Sequence, residues 1–146
     1  TPYRVKNKPG VVDYAVTYPD PEAIKILPWD LVEISQGPAG LMLISRKVFE
    51  TLMDKHPERK CKFPEDARAK INAEIGTEDD AAGKYFYNFW DTSFKDQVWK
   101  GEDLAFCNLA TEAGFKLYAN LDSWTTHHGS WGWKGKFGDS LIKKPK

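Results

Sequence analysis

Hydrophobic and polar positions along this chain change period several times, and each change marks an element. Val11, Tyr14, Val16 and Tyr18 lie in a stretch that predicts a strand over 11–18, ended by Pro19, Asp20 and Pro21. Leu31, Val32, Glu33 and Ile34 alternate with period two over a very short window and predict a second strand. Leu41, Met42, Leu43 and Ile44 form a continuous apolar run of buried-strand length. Ser45 then offers a cap to a helix whose Val48, Phe49, Leu52 and Met53 share one face, with Pro57 just past its end. A second helix is expected over 64–75, because Pro64 suits a first turn, Glu65 and Asp66 complement the helix dipole, and Gly76 closes it. The acidic stretch 77–83 reads as a loop, and the aromatic-dense stretch 85–90 as a strand or a core-facing connection. Glu102 and Asp103 open a helix in which Phe106, Leu109, Ala110 and Ala113 keep helical spacing up to Gly114. Phe115, Leu117, Ala119 and Leu121 then alternate with Lys116, Tyr118 and Asn120, the pattern of a half-buried strand. Residues 127–135 are too rich in glycine for regular structure, and in the basic tail 138–146 the last residues, Lys143-Lys144-Pro145-Lys146, are expected to be solvated and disordered.

The 146 residues suit one domain, 1–146, of α/β class: a short, mixed sheet with about three helices packed on it. Its first part, 1–36, is Pro-rich and made of short strands and turns. Lys and Arg number 21 and so do Asp and Glu, which leaves no net field to attract nucleic acid or an anionic membrane. The sequence has no apolar run of roughly 18 residues, so no membrane span is expected, and nothing at its start resembles a signal peptide. The expected compartment is the cytoplasm. Thr1 in place of Met points to a processed chain or a piece of a longer one. Cys61 and Cys107 form no metal-binding or disulfide pattern and read as ordinary thiols. Six Trp, six Tyr and eight Phe are many for this length, and several sit among polar residues and glycines. Exposed aromatic surface follows, of the kind that stacks on sugar faces, although interfaces and cores use the same rings.

Three places could carry chemistry. Glu102 and Asp103 stand where a helix N-terminus favours the anionic form, which suits a metal or a hydroxyl; an ordinary acidic first turn looks the same. His127 and His128 are neighbours on extended backbone and point to opposite sides, so one of them at most faces a site, and a structural role is equally open to both. Trp131 and Trp133, with Lys134 and Lys136 beside them and glycines between, leave ring faces open for a sugar or a base, or fold back over the core. Gly37, Ala39 and Gly40 are small residues on the approach to the apolar run, where backbone comes close to a ligand or simply turns.

The order of these pieces resembles the acceptor-side half of GT-A-type, family-2-like glycosyltransferases. Residues 37–49, a small and glycine-rich approach followed by an apolar strand, a basic pair and Val48-Phe49, are similar to that family's acceptor-side strand and helix. Gly101, Glu102, Asp103 and Leu104, followed by the strand after Gly114, resemble its Glu-Asp helix and the next strand. His127 with Gly129, Ser130 and Gly135 resembles its closing loop, and Pro2, Tyr3 and Arg4 stand where a strand past the acidic metal motif would fall. The resemblance spans 37–137 and implies roles. Asp103, with Glu102, would deprotonate or orient an acceptor hydroxyl. His127 would reach a divalent metal, Mn²⁺ or Mg²⁺, that neutralises a leaving diphosphate. Gly37, Ala39 and Gly40 would lie under the donor sugar or the acceptor, with Trp131, Trp133 and Lys134 on the sugar. The implied partners are a nucleotide-sugar donor and a carbohydrate or other hydroxyl acceptor, and the implied assembly is a homodimer or a union with a missing N-terminal half. No Asp-x-Asp metal motif occurs, and Glu78-Asp79-Asp80 is acidic but misplaced. The sequence therefore reads as a catalytic segment of a longer enzyme, or as a non-catalytic carbohydrate-binding or interaction domain.

Overall fold

Three of the elements meet around Leu31–Ile34, strand β2 in the computed structural model, which describes residues 14–77, 80–128 and 132–141 and, at Lys95, His127 and Trp133, the backbone alone. Strand β1 (Ile26–Leu27) pairs with one edge of β2 and β5 (Leu117–Asn120) with the other, both antiparallel. Val32 lies opposite Ala119 in register and both are buried, so the alternation seen in each sequence puts one face of the ladder inward. Tyr14, Ile34, Leu121 and Phe137 complete this first core, with the Tyr14 and Phe137 rings edge-to-face at 5.3 Å. The strand expected over 11–18 is reduced to a bridge between Thr17 and Gln36 and an isolated bridge residue at Tyr14; residues 11–13 lie outside the described part, as do 2–4.

Helices occupy the chain between β2 and β5. Helix α1 (Arg46–Lys55) buries Val48 and Leu52 as its spacing requires; Ser45 precedes it without a side-chain cap bond. Helix α2 (Glu65–Ile75) has acidic residues in its first turn and ends on Gly76 at φ 71°, a left-handed conformation that glycine adopts without strain. The stretch read as a loop contains a short helix α3 (Ala81–Tyr85) instead, with residues 78–79 outside the described part. Asp80 caps it by accepting the Gly83 N–H at 3.0 Å, and Asn72 of α2 accepts the Ala82 N–H at 2.9 Å. Helix α4 (Glu102–Glu112) buries Ala105, Phe106, Cys107, Leu109 and Ala110. Together α1, α4 and Phe89 form a second core, over which Trp90 stacks on Phe106 at 4.1 Å. Leu117 packs against both cores and joins them.

Two expectations are corrected. Residues 41–44 are not a buried strand: Leu43 is fully exposed and Leu41 is 63% exposed, while Met42 and Ile44 pack on the second core. The run is irregular, starting in a bend at Leu41, and only Met42 and Ile44 of it pack on the helices. Residues 127–135 are not irregular throughout: β6 (Trp124–His127) and β7 (Trp133–Lys136) form a hairpin that includes Gly135 opposite Thr125. A Cβ on Gly135 would stand 2.7 Å from the Tyr14 hydroxyl, so the glycine in this strand makes room for a core side chain. A third ladder, β3 (Ser93–Lys95) with β4 (Val98–Lys100), turns through Asp96 and Gln97 at φ 53° and 63°, the twist of a tight two-residue hairpin. The chain is thus α/β, with four α-helices and small antiparallel sheets among the described residues. No helix there is long and apolar enough to cross a membrane.

Candidate functional site

Gly101 precedes α4 and places Glu102 and Asp103 in its first turn, Glu102 exposed and Asp103 half-buried. One turn later Cys107 faces the segment that follows β2, and its thiol donates to the Gly37 carbonyl at 3.4 Å. The Gln36 amide donates to the Asn108 side-chain oxygen at 2.6 Å, a second tie between the same two elements. Burial, reinforced by the Asp103 carboxylate, pushes the Cys107 thiol above its usual range. Cys107 therefore stands between Gly37 and Asp103, two residues that the sequence reading singled out separately. Gly37 is buried, Ala39 half-buried and Gly40 exposed as the segment leaves α4.

Beyond Gly37 the segment overhangs a cavity of about 680 Å³ walled by Leu41, Met42, Ile44, Phe106 and Leu117. Its walls are mainly apolar, and Glu102 and Asp103 do not belong to them. Gly37 belongs to both places, lining the apolar cavity and bonded through its carbonyl to Cys107 of the carboxylate helix.

The other expected residues stand on the β6–β7 hairpin, which is rooted in the first core through Phe137 and the Gly138 N–H bond to the Leu121 carbonyl. His127 ends β6 opposite Trp133, and Lys134 lies opposite Thr126. The ammonium groups of Lys134 and Lys136 sit 5.6 and 5.4 Å from the centroid of the exposed Trp124 ring, and Lys136 also pairs with Asp122. Trp131 lies outside the described residues. The expected residues thus stand apart on different elements: Asp103 on α4 of the second core, His127 and Lys134 on a hairpin of the first, and Gly37 against Ile34 and Val16 of the first core with its carbonyl bonded to Cys107 of α4. Among the described residues no group of three His, Cys, Asp or Glu side chains is placed to hold a metal ion.

The sequence reading missed an aromatic pair beside α4. Phe94 and Trp99 lie directly opposite each other in the β3–β4 ladder, 73% and 66% exposed. The Trp99 ring passes 3.6 Å from the point where a Gly101 Cβ would be, so it lies over the start of α4. The signal was present: Ser-Phe-Lys and Val-Trp-Lys flank two residues, but Asp96-Gln97 lacks the glycine that usually marks such a turn.

Compared with known proteins, the chain matches no family model, no curated protein and no solved structure.

Proposed function

We propose that this chain forms the acceptor-side part of a GT-A-type glycosyltransferase. The observation that carries the reading is the seating of Gly37 against α4 through Cys107, which brings the small-residue segment to the carboxylate helix across a long stretch of sequence. In this reading Asp103, with Glu102 beside it, takes the proton from an acceptor hydroxyl. The hydroxyl oxygen then bonds to the anomeric carbon of the nucleotide-sugar, and the bond from that carbon to the diphosphate breaks with its electron pair leaving on the diphosphate. A divalent ion, Mn²⁺ or Mg²⁺, would supply the countercharge, with His127 as its one candidate ligand from this chain. Gly37, Ala39 and Gly40 would give the sugar backbone access, and Trp133 and Lys134 would meet it from the hairpin.

A non-catalytic carbohydrate-binding or interaction domain is the second reading. It is favoured by exposed Trp29, Phe94, Trp99 and Trp124, and by the separate roots of His127 and Asp103 in the two cores. Calorimetric titration of UDP with and without Mn²⁺ separates the two. The first reading expects heat that needs the metal, disappears in His127→Ala and persists in Asp103→Asn. Sugar binding with no UDP binding in the presence of the metal would leave the second.

A further inference from the structure

The β3–β4 hairpin shows a feature to which the glycosyltransferase reading gives no role. Residues opposite each other in an antiparallel ladder project from the same face, so Phe94 and Trp99 present two adjacent rings on one side of the ribbon. Both are largely exposed, although the second core lies close by and takes up Phe89 and Phe106. Two large rings left side by side in water mark a surface that binds something. The neighbourhood narrows what it binds. Trp99 lies over Gly101, and the next two residues are the carboxylates Glu102 and Asp103. A flat apolar plane edged by hydrogen-bond acceptors complements a pyranose ring, whose C–H face stacks on an indole while its hydroxyls donate to carboxylates.

We propose that Phe94 and Trp99 form the stacking platform for a pyranose ring and hold it beside Asp103. The assignment rests on the glycosyltransferase reading for one point, that the bound sugar is the acceptor.

The test uses the whole chain and three probes, the methyl β-pyranosides of glucose, galactose and N-acetylglucosamine, titrated into the millimolar range. Saturation-transfer NMR reads which sugar protons touch the protein, and the indole N–H resonances read which tryptophan responds. The signal missing from Trp99→Phe identifies Trp99. The expected result is transfer to the C–H protons of the sugar together with a shift of the Trp99 signal. Affinity should fall about tenfold in Trp99→Ala, a typical loss for one stacking partner, recover in Trp99→Phe, and stay unchanged in Tyr85→Ala, which removes an exposed ring elsewhere. Sugar binding undiminished in Trp99→Ala, or a shift confined to other indoles in the wild-type chain, would overturn the platform and leave the glycosyltransferase reading standing. No transfer to any probe overturns the platform too, and the UDP titration then decides the reading separately. A Trp99 signal that moves with protein concentration alone, sugar having no effect, would make the pair a protein interface and likewise overturn the assignment.

Discussion

Leu43 and Leu52 carry the same side chain in one apolar-rich stretch, yet Leu43 is fully exposed and Leu52 is 0% exposed. The difference is a matter of period. On α1, Leu52 falls on the stripe that faces α4, whereas in the irregular segment 41–44 Leu43 is exposed and only its neighbours Met42 and Ile44 pack on the second core. Leu52→Ala should therefore cost about 2–5 kcal/mol, the usual range for a buried leucine. Leu43→Ala should stay within about 0.5 kcal/mol, as for an exposed position. Urea denaturation measures both, and a large loss at Leu43 would mean that 41–44 is held in a core after all. Sequence alone could not separate them, because a run of four apolar residues has no visible period. At the candidate site, Glu102 and Asp103 were legible from the start of a helical pattern. Trp99 was not, since its role depends on lying over Gly101.

The elements read best in sequence are those with both a periodic face and punctuation. Helices α1, α2 and α4 each have one or the other end marked by Pro57, Gly76 or Gly114, and the structure follows those marks within a residue or two. Helix α3 carries no such signature, because its cap comes from an acidic stretch and its anchor from another helix. Asp80 accepts from the Asn72 amide at 3.2 Å and from the Gly83 N–H, with Arg68 at 3.4 Å, and these contacts hold its carboxyl below the usual carboxylate range. A depressed folded value means that the unfolded chain takes up the proton first as the pH falls. The stabilisation is thus present above the unfolded carboxyl value and fades as the pH drops through the folded one. Asp80→Asn should lower the melting temperature at neutral pH, and the gap from wild type should close in acid. A gap that is the same at every pH would show that the charge on Asp80 does not matter. The β6–β7 hairpin was hidden for the opposite reason: its glycines look like loop chemistry until Tyr14 is seen to need the space at Gly135.

Across the whole molecule, the α/β class was legible from strands at both ends of the chain and helices between them. The division into two cores bridged by Leu117 was not, because a half-buried strand pattern does not say how many layers it touches. That division also separates Asp103 from His127 and Lys134, which no linear order of motifs could reveal. The central ladder has one more consequence. The Lys116 ammonium meets the Glu33 carboxylate at 2.9 Å across 83 positions of sequence, so β2 and β5 clasp the two ends of a very long loop. The entropy lost in closing such a loop grows only with the logarithm of its length. Lengthening the exposed connection between Asp91 and Thr92 by about ten Gly and Ser residues should then cost only about 0.1 kcal/mol, seen as a nearly unchanged urea midpoint. A loss above about 1 kcal/mol would identify that connection as a rigid spacer. With the clasp set this far apart, an exposed connection such as Asp91–Thr92 can lengthen while the sheet keeps its register.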